Sequence, residues 1–148
     1  MKRFVRCTSM LLAIIMVFTI PTFAVENIEP KGSMFFMCSS VYFCNVSGCS
    51  FEAWFDVTAT GMMDEIGVSF INIQRSDDGV NWITVRSCRK EFSGYSYLVS
   101  QNMFTHTASI SYTGTPGHYY RIYVELYARK GVNEGFMPEY SAPIYIPA

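Results

Sequence analysis

The chain is short of the residues that most chemistry needs. Its 148 residues include two histidines, His106 and His118, and only 16% are charged. There is no GxSxG or HExxH, so the common signatures of a serine hydrolase or a zinc protease are missing. No CxxC pair exists, and the cysteine spacings do not suit a zinc site. The D-x-[DN]-x-[DN]-G calcium loop is absent, although Asp77, Asp78 and Asn81 stand close together. Neither histidine sits in a nucleophile motif, and the adjacent carboxylates Asp64-Glu65 and Asp77-Asp78 fall in turn-like stretches, where turn shaping and solvation are the ordinary roles. Nothing resembles a repeat or a low-complexity tract. No cofactor or metal is expected, and an enzyme is not expected.

One long apolar run is present, at the N-terminus. Lys2, Arg3 and Arg6 precede the eleven residues Met10 to Ile20, and Pro21 and Thr22-Phe23-Ala24 follow. A basic segment, a short apolar core and small residues at −3 and −1 are the layout of a secretory signal peptide. A bilayer span takes roughly 20 residues, so a membrane anchor is the poorer reading. The expected division is residues 1–24 as signal, 25–33 as a polar leader, and 34–148 as one domain in a secreted, extracellular chain. Beyond Ala24 there are eight Lys and Arg against twelve Asp and Glu, a formal charge of −4. Such a surface does not attract phosphate backbones or anionic membranes.

Cys38, Cys44, Cys49 and Cys88 remain in the exported part. An even number in an oxidising compartment predicts disulfides, with three possible pairings. Asn45-Val46-Ser47-Gly48 reads as a hairpin loop, which would set Cys44 opposite Cys49 and leave Cys38 to pair with Cys88. The same register would oppose Tyr42 to Phe51, Ser40 to Ala53 and Cys38 to Phe55. The second bridge would close about 50 residues and stabilise by about 4 kcal/mol in the chain-entropy model. Asn45-Val46-Ser47 also fits the glycosylation pattern.

The remaining pattern is that of strands. Ser50 to Ala59 alternates, with Phe51, Ala53, Phe55 and Val57 on one face and Glu52, Trp54, Asp56 and Thr58 on the other. A turn is expected at Gly61 to Glu65 and a strand over Ile66 to Arg75, whose apolar positions change parity between Phe70 and Ile71, as a bulge or two-sided burial would produce. Ser76-Asp77-Asp78-Gly79 closes a hairpin onto Trp82 to Cys88. Phe92 to Ser100 and Ala108 to Tyr112 are weaker strands. Thr113-Gly114-Thr115-Pro116-Gly117 turns into His118 to Ala128, where Tyr120, Ile122, Val124 and Leu126 share one face. Pro143 marks Glu139 to Ile146 as an edge strand. Seven or eight short strands and no amphipathic helix predict an all-β antiparallel sandwich.

Three segments, RSDDGVNWITV, TPGHYYRIYVELYA and EYSAPIYI, resemble the "SxDGxxW" hairpin, the "PGxxYYRxxV" turn-strand and the "YSxP" entry of fibronectin type III-like (immunoglobulin-like) sandwiches. The match covers about half of the exported part. The chain is also similar to short secreted bacterial proteins of uncharacterised function, through Ile28-Glu29-Pro30-Lys31, the hairpin from Ile73-Gln74-Arg75 to Val85, and the YYR strand. The cysteines depart from that pattern. The resemblance implies the fold and carries no activity.

The binding surface expected from the sequence is aromatic. Tyr119, Tyr123 and Tyr127 form a stripe about 13–14 Å long at about 3.4 Å per residue, with Arg121 and Glu125 between them. Trp54 lies on the polar face of its own strand. Such rings serve packing, a protein partner or a carbohydrate. A protein partner at or outside the cell surface is the preferred function, with a carbohydrate-binding module and a small extracellular hydrolase as alternatives.

Overall fold

One strand, 27 residues long, organises the whole molecule. The computed structural model describes residues 34–148; the expected signal and leader lie outside the described residues. The strands are β1 (Phe36–Ser47), β2 (Ser50–Ser76), β3 (Ile83–Arg89), β4 (Val99–Thr113), β5 (His118–Lys130), β6 (Asn133–Tyr140) and β7 (Ile144–Ile146), with a 3-10 turn at Ser96–Leu98. All pairing is antiparallel, in one seven-stranded sheet. The first half of β2 runs between β1 and β4. Its second half runs between β3 and β5, and β6 and β7 continue the sheet beyond β5. No helix of the described residues is long and apolar enough to cross a membrane.

The expected turn at Gly61 to Glu65 is therefore no turn. The strand continues without a turn, and the break shows as a register shift in which Thr58 to Met63 of β2 runs against only Thr105 to Met103 of β4. Two expected strands are one because β2 exchanges partners there, from β1 to β5, without ending. The parity change has a bulge as its cause. Val68 faces Leu126 and Phe70 faces Glu125, so Ser69 is the extra residue. Its hydroxyl donates to the Glu125 carboxylate at 2.5 Å, and Ile66 to Ser69 are buried in succession. Similarly, Ala108 to Tyr112 belongs to a longer β4 that takes in residues 101–107, whereas most of Phe92 to Ser100 is turn. Ser141 to Pro143 divides the expected last strand into β6 and β7.

Both halves of β2 feed one core. Phe51, Ala53, Phe55 and Val57 from the first half are buried with Ile66, Val68, Ile71 and Ile73 from the second. Tyr120, Ile122, Val124 and Leu126 of β5 join them, as the alternation predicts. Phe51 and Tyr120 tie the halves together, their ring centres 5.4 Å apart. The Tyr120 hydroxyl receives the Thr115 N–H at 2.6 Å, fixing the turn that opens β5. Gly67 has φ +154°, and a Cβ there would overlap the Leu98 carbonyl oxygen and stand 2.8 Å from the Val99 Cα. Only glycine lets the 3-10 turn lie so close to β2.

The β1–β2 register corrects the expected cysteine geometry. Cys44 faces Glu52, Phe43 faces Ala53 and Tyr42 faces Trp54. Ser47 faces Ser50, so Gly48 (φ +57°) and Cys49 form the turn itself, and Cys49 is not opposite Cys44. The tighter turn wins because Gly48 accepts the positive φ that a two-residue connection demands. Cys38 is exposed opposite Thr58, where burial beside Phe55 was expected, and Cys88 is fully buried. All four thiols are unbridged.

Candidate binding face

The face of β2, β3, β5 and β6 turned away from the core carries the expected stripe. Register assembles it row by row: Gln74 beside Arg121, Asn72 between Ser87 and Tyr123, Tyr123 beside Tyr140, and Tyr127 beside Phe136. Tyr119 faces Tyr145 on β7. Side chains on alternate residues of each strand share this face.

The rows interlock into a ladder of rings and cations. The Arg121 guanidinium stands 4.4 Å from the centre of the Trp82 ring and 4.7 Å from that of Tyr140. Tyr140 stacks on Tyr123 at 4.6 Å with 19° between planes, and Tyr123 meets Phe70 edge-on at 5.5 Å. Arg89 ends the series over Phe70 at 5.0 Å. Gln74 fixes the guanidinium by accepting from Arg121 Nε at 2.7 Å. Guanidinium against a ring gains electrostatically from the ring quadrupole, by about 0.5–1 kcal/mol where exposed.

A second group adjoins it. Lys90 Nζ lies 3.3 Å from the centre of the Tyr127 ring and 3.6 Å from Glu65, and Arg129 donates to Glu65 at 3.1 Å. The Tyr127 hydroxyl donates to Glu134 at 3.0 Å. Burial, and then the Glu134 carboxylate, push the Tyr127 hydroxyl far above the ordinary tyrosine range. Burial also raises Glu65, but the bond from Arg129, the nearby Tyr127 hydroxyl and the Lys90 charge outweigh it, and the net shift is downward. Burial, then Tyr140 and Glu125, raise Tyr123.

The expected residues are thus partly gathered. Arg121 and Tyr123 are in the ladder, whereas Tyr127 is 2% exposed and packs instead of presenting its ring. Tyr119 pairs with Tyr145 at 4.8 Å. Trp54 belongs elsewhere: on the first half of β2 it stacks on Tyr42 at 6.4 Å and donates to Glu52 at 2.7 Å. The sequence stripe missed Tyr140, Trp82, Phe70 and Arg89. The "YSxP" and "DGxxW" segments carried the first two, but only pairing puts them beside β5.

The turn carboxylates are committed locally. Asp78 accepts from the backbone of Asn81 and Val80 at 2.7 and 2.8 Å and from the Asn81 side chain at 2.6 Å, which holds its carboxyl far below the usual range. These bonds commit the Asp78 carboxylate to shaping the turn. A cleft of about 210 Å³ beside them is lined by Arg75, Ser76, Asp77, Asp78, Asn81 and Ile83. Asp77 and His118 Nδ1 are 2.8 Å apart, tying this turn to the start of β5. His106 lies between Ser100 (Nδ1 to Oγ, 2.7 Å) and the Tyr97 carbonyl (Nε2 to O, 2.9 Å). Donation to that carbonyl assigns the proton to Nε2, leaving Nδ1 to accept from Ser100. The three together pin the arch of β4 where Asn102 has φ +53°. No group of three or more His, Cys, Asp or Glu among the described residues could hold a metal ion.

No protein-family model and no curated protein matches the sequence. Among solved structures the chain is similar to the sporulation control protein Spo0M from Bacillus subtilis, at 12% identity and a TM-score of 0.45. The likeness covers 74% of this chain and 49% of that one, so this chain matches about half the length of Spo0M.

Proposed function

We propose that the chain is an exported, non-catalytic β-sandwich of the immunoglobulin-like class that binds a protein partner at or outside the cell surface through the ladder face. The observation that carries the reading is the stack from Trp82 through Arg121 and Tyr140 to Tyr123. Trp, Tyr and Arg are the residues that dominate protein interfaces. Here they are held rigid by one another, so a partner meets side chains whose freedom is already lost, and less entropy opposes binding. Tyr140 nevertheless remains 53% exposed.

The stack also favours a protein over a sugar as ligand. A sugar ring needs a free aromatic face. Tyr140 already has Arg121 and Tyr123 against its ring, which leaves less of its face for a sugar. Edges, hydroxyls and guanidinium hydrogens suit the backbone and side-chain groups of a protein.

The basic N-terminal segment with its short apolar core supports export. The Tyr120 hydroxyl bound to backbone five residues upstream resembles the tyrosine corner of immunoglobulin-like domains and supports the sandwich class. The test is capture of partners by the immobilised exported chain from its native surroundings, followed by titration of the captured protein. Binding that survives loss of both Arg121 and Tyr140 side chains refutes the reading.

A further inference from the structure

Strand edges are where a sheet can recruit another chain, because a row of backbone donors and acceptors stands unpaired there. Four of this sheet's edges are blunted. On β4, the Ser109 and Ser111 carbonyls already accept from the Tyr97 hydroxyl at 3.3 Å and from Arg86 at 3.2 Å. β3 is seven residues long and carries Arg86 and Arg89. β6 contains Pro138, Glu134 and Glu139, and β7 is three residues long. Proline, charge and brevity are the usual devices against strand addition.

β1 has none of them. Its twelve residues, FMCSSVYFCNVS, include no charge and no proline. Among the described residues it pairs only with β2, and its irregularities lie at its ends, leaving Cys38 to Cys44 in unbroken register. Cys38, Ser40 and Tyr42, on the face away from the core, are exposed.

We infer that β1 is the seam of a homodimer, in which two copies pair their β1 strands antiparallel and join their sheets edge to edge. Charge selects a second copy as the occupant. An uncharged strand laid antiparallel on itself opposes no like charges, which is the condition that self-pairing must meet. The nearest acidic groups on that face, Glu52 and Asp56, lie one strand further in, on β2. Both carboxylates are already engaged by β1 side chains of their own copy, Asp56 by Ser40 at 3.4 Å and Glu52 by Asn45 at 2.9 Å. A two-fold axis is the commonest symmetry for such a pair. The seam lies on the β1 half of the molecule and does not depend on the ladder.

The test is the mass of the purified full-length chain by light scattering across a concentration series, with amide hydrogen exchange of β1. The expected result is a dimer at high concentration, with the outward β1 amides protected only in the dimer. Ser40→Lys with Tyr42→Lys is expected to weaken the dimer by about tenfold or more, with far-UV circular dichroism unchanged. A monomer at every concentration overturns the inference, as does a dimer indifferent to the two lysines. Outward β1 amides equally protected at all concentrations also overturn it, because another segment then covers the edge. Should the lysine variant misfold, the exchange of the unaltered chain decides.

Discussion

The Arg121 guanidinium stands 4.4 Å from the centre of the Trp82 ring, although the two residues are brought together only by the β2–β3 hairpin and the β2–β5 pairing. The contact joins the turn after β2 to the first part of β5. It makes a surface of stacked rings a consequence of strand register.

Arg121→Lys tests the stack directly. Lysine keeps the charge but loses the planar group that lies between two rings and meets Gln74. A loss of about 1 kcal/mol is expected, read as a lower urea midpoint with an unchanged slope. An unchanged midpoint would mean that the contacts contribute nothing to folding.

Tyr120→Phe keeps the buried ring against Phe51 and removes the hydroxyl that serves both the N–H and the carbonyl of Thr115. The expected cost is about 1 kcal/mol. Faster amide exchange at Thr115 locates it in the turn before β5.

The reach of sequence reasoning can be judged from these elements. The Asp78-Gly79 hairpin, the alternation of Phe51 to Val57 and the two faces of β5 were legible because each depends on local turn chemistry or a period of two. The continuity of β2 was not. Gly61 and the charges Asp64-Glu65 read as a turn, yet a strand that exchanges neighbours needs no break in its own pattern. The cysteine register failed on a shift of three in the paired positions, since Gly48 permitted a tighter turn than Asn45 to Gly48 suggested. Four of the six ladder residues were hidden because Trp82, Tyr140, Phe70 and Arg89 reach the β5 side chains from other parts of the chain.

Gly67→Ala is expected to be severe. Its Cβ meets backbone at Leu98 and Val99, so no side-chain rotation relieves it. A loss of about 2–3 kcal/mol or more is predicted, with the 3-10 turn displaced from β2. Thermal unfolding of the variant measures it; wild-type stability would show that the Leu98 segment moves freely.

His106 predicts a pH dependence. Burial lowers its pKa below the ordinary 6.5, despite the opposing bond to the Tyr97 carbonyl. In the window just below 6.5 the unfolded chain therefore holds more protons than the folded one. Linkage makes stability rise with pH there. The contribution is present above pH 6.5 and falls away as pH drops toward the folded-state value. His106→Gln should flatten this part of the profile relative to wild type; parallel profiles from pH 7 to 5 would contradict it.

The central claim, a protein partner held by the ladder face, is tested most directly by one titration. A partner captured by the exported chain is measured against wild type and against Arg121→Ala with Tyr140→Ala, both first shown to be folded. The account predicts binding weakened by about a hundredfold or more, as expected when two interface anchors are lost together. Equal affinity for the two proteins would place the binding surface elsewhere and contradict the account.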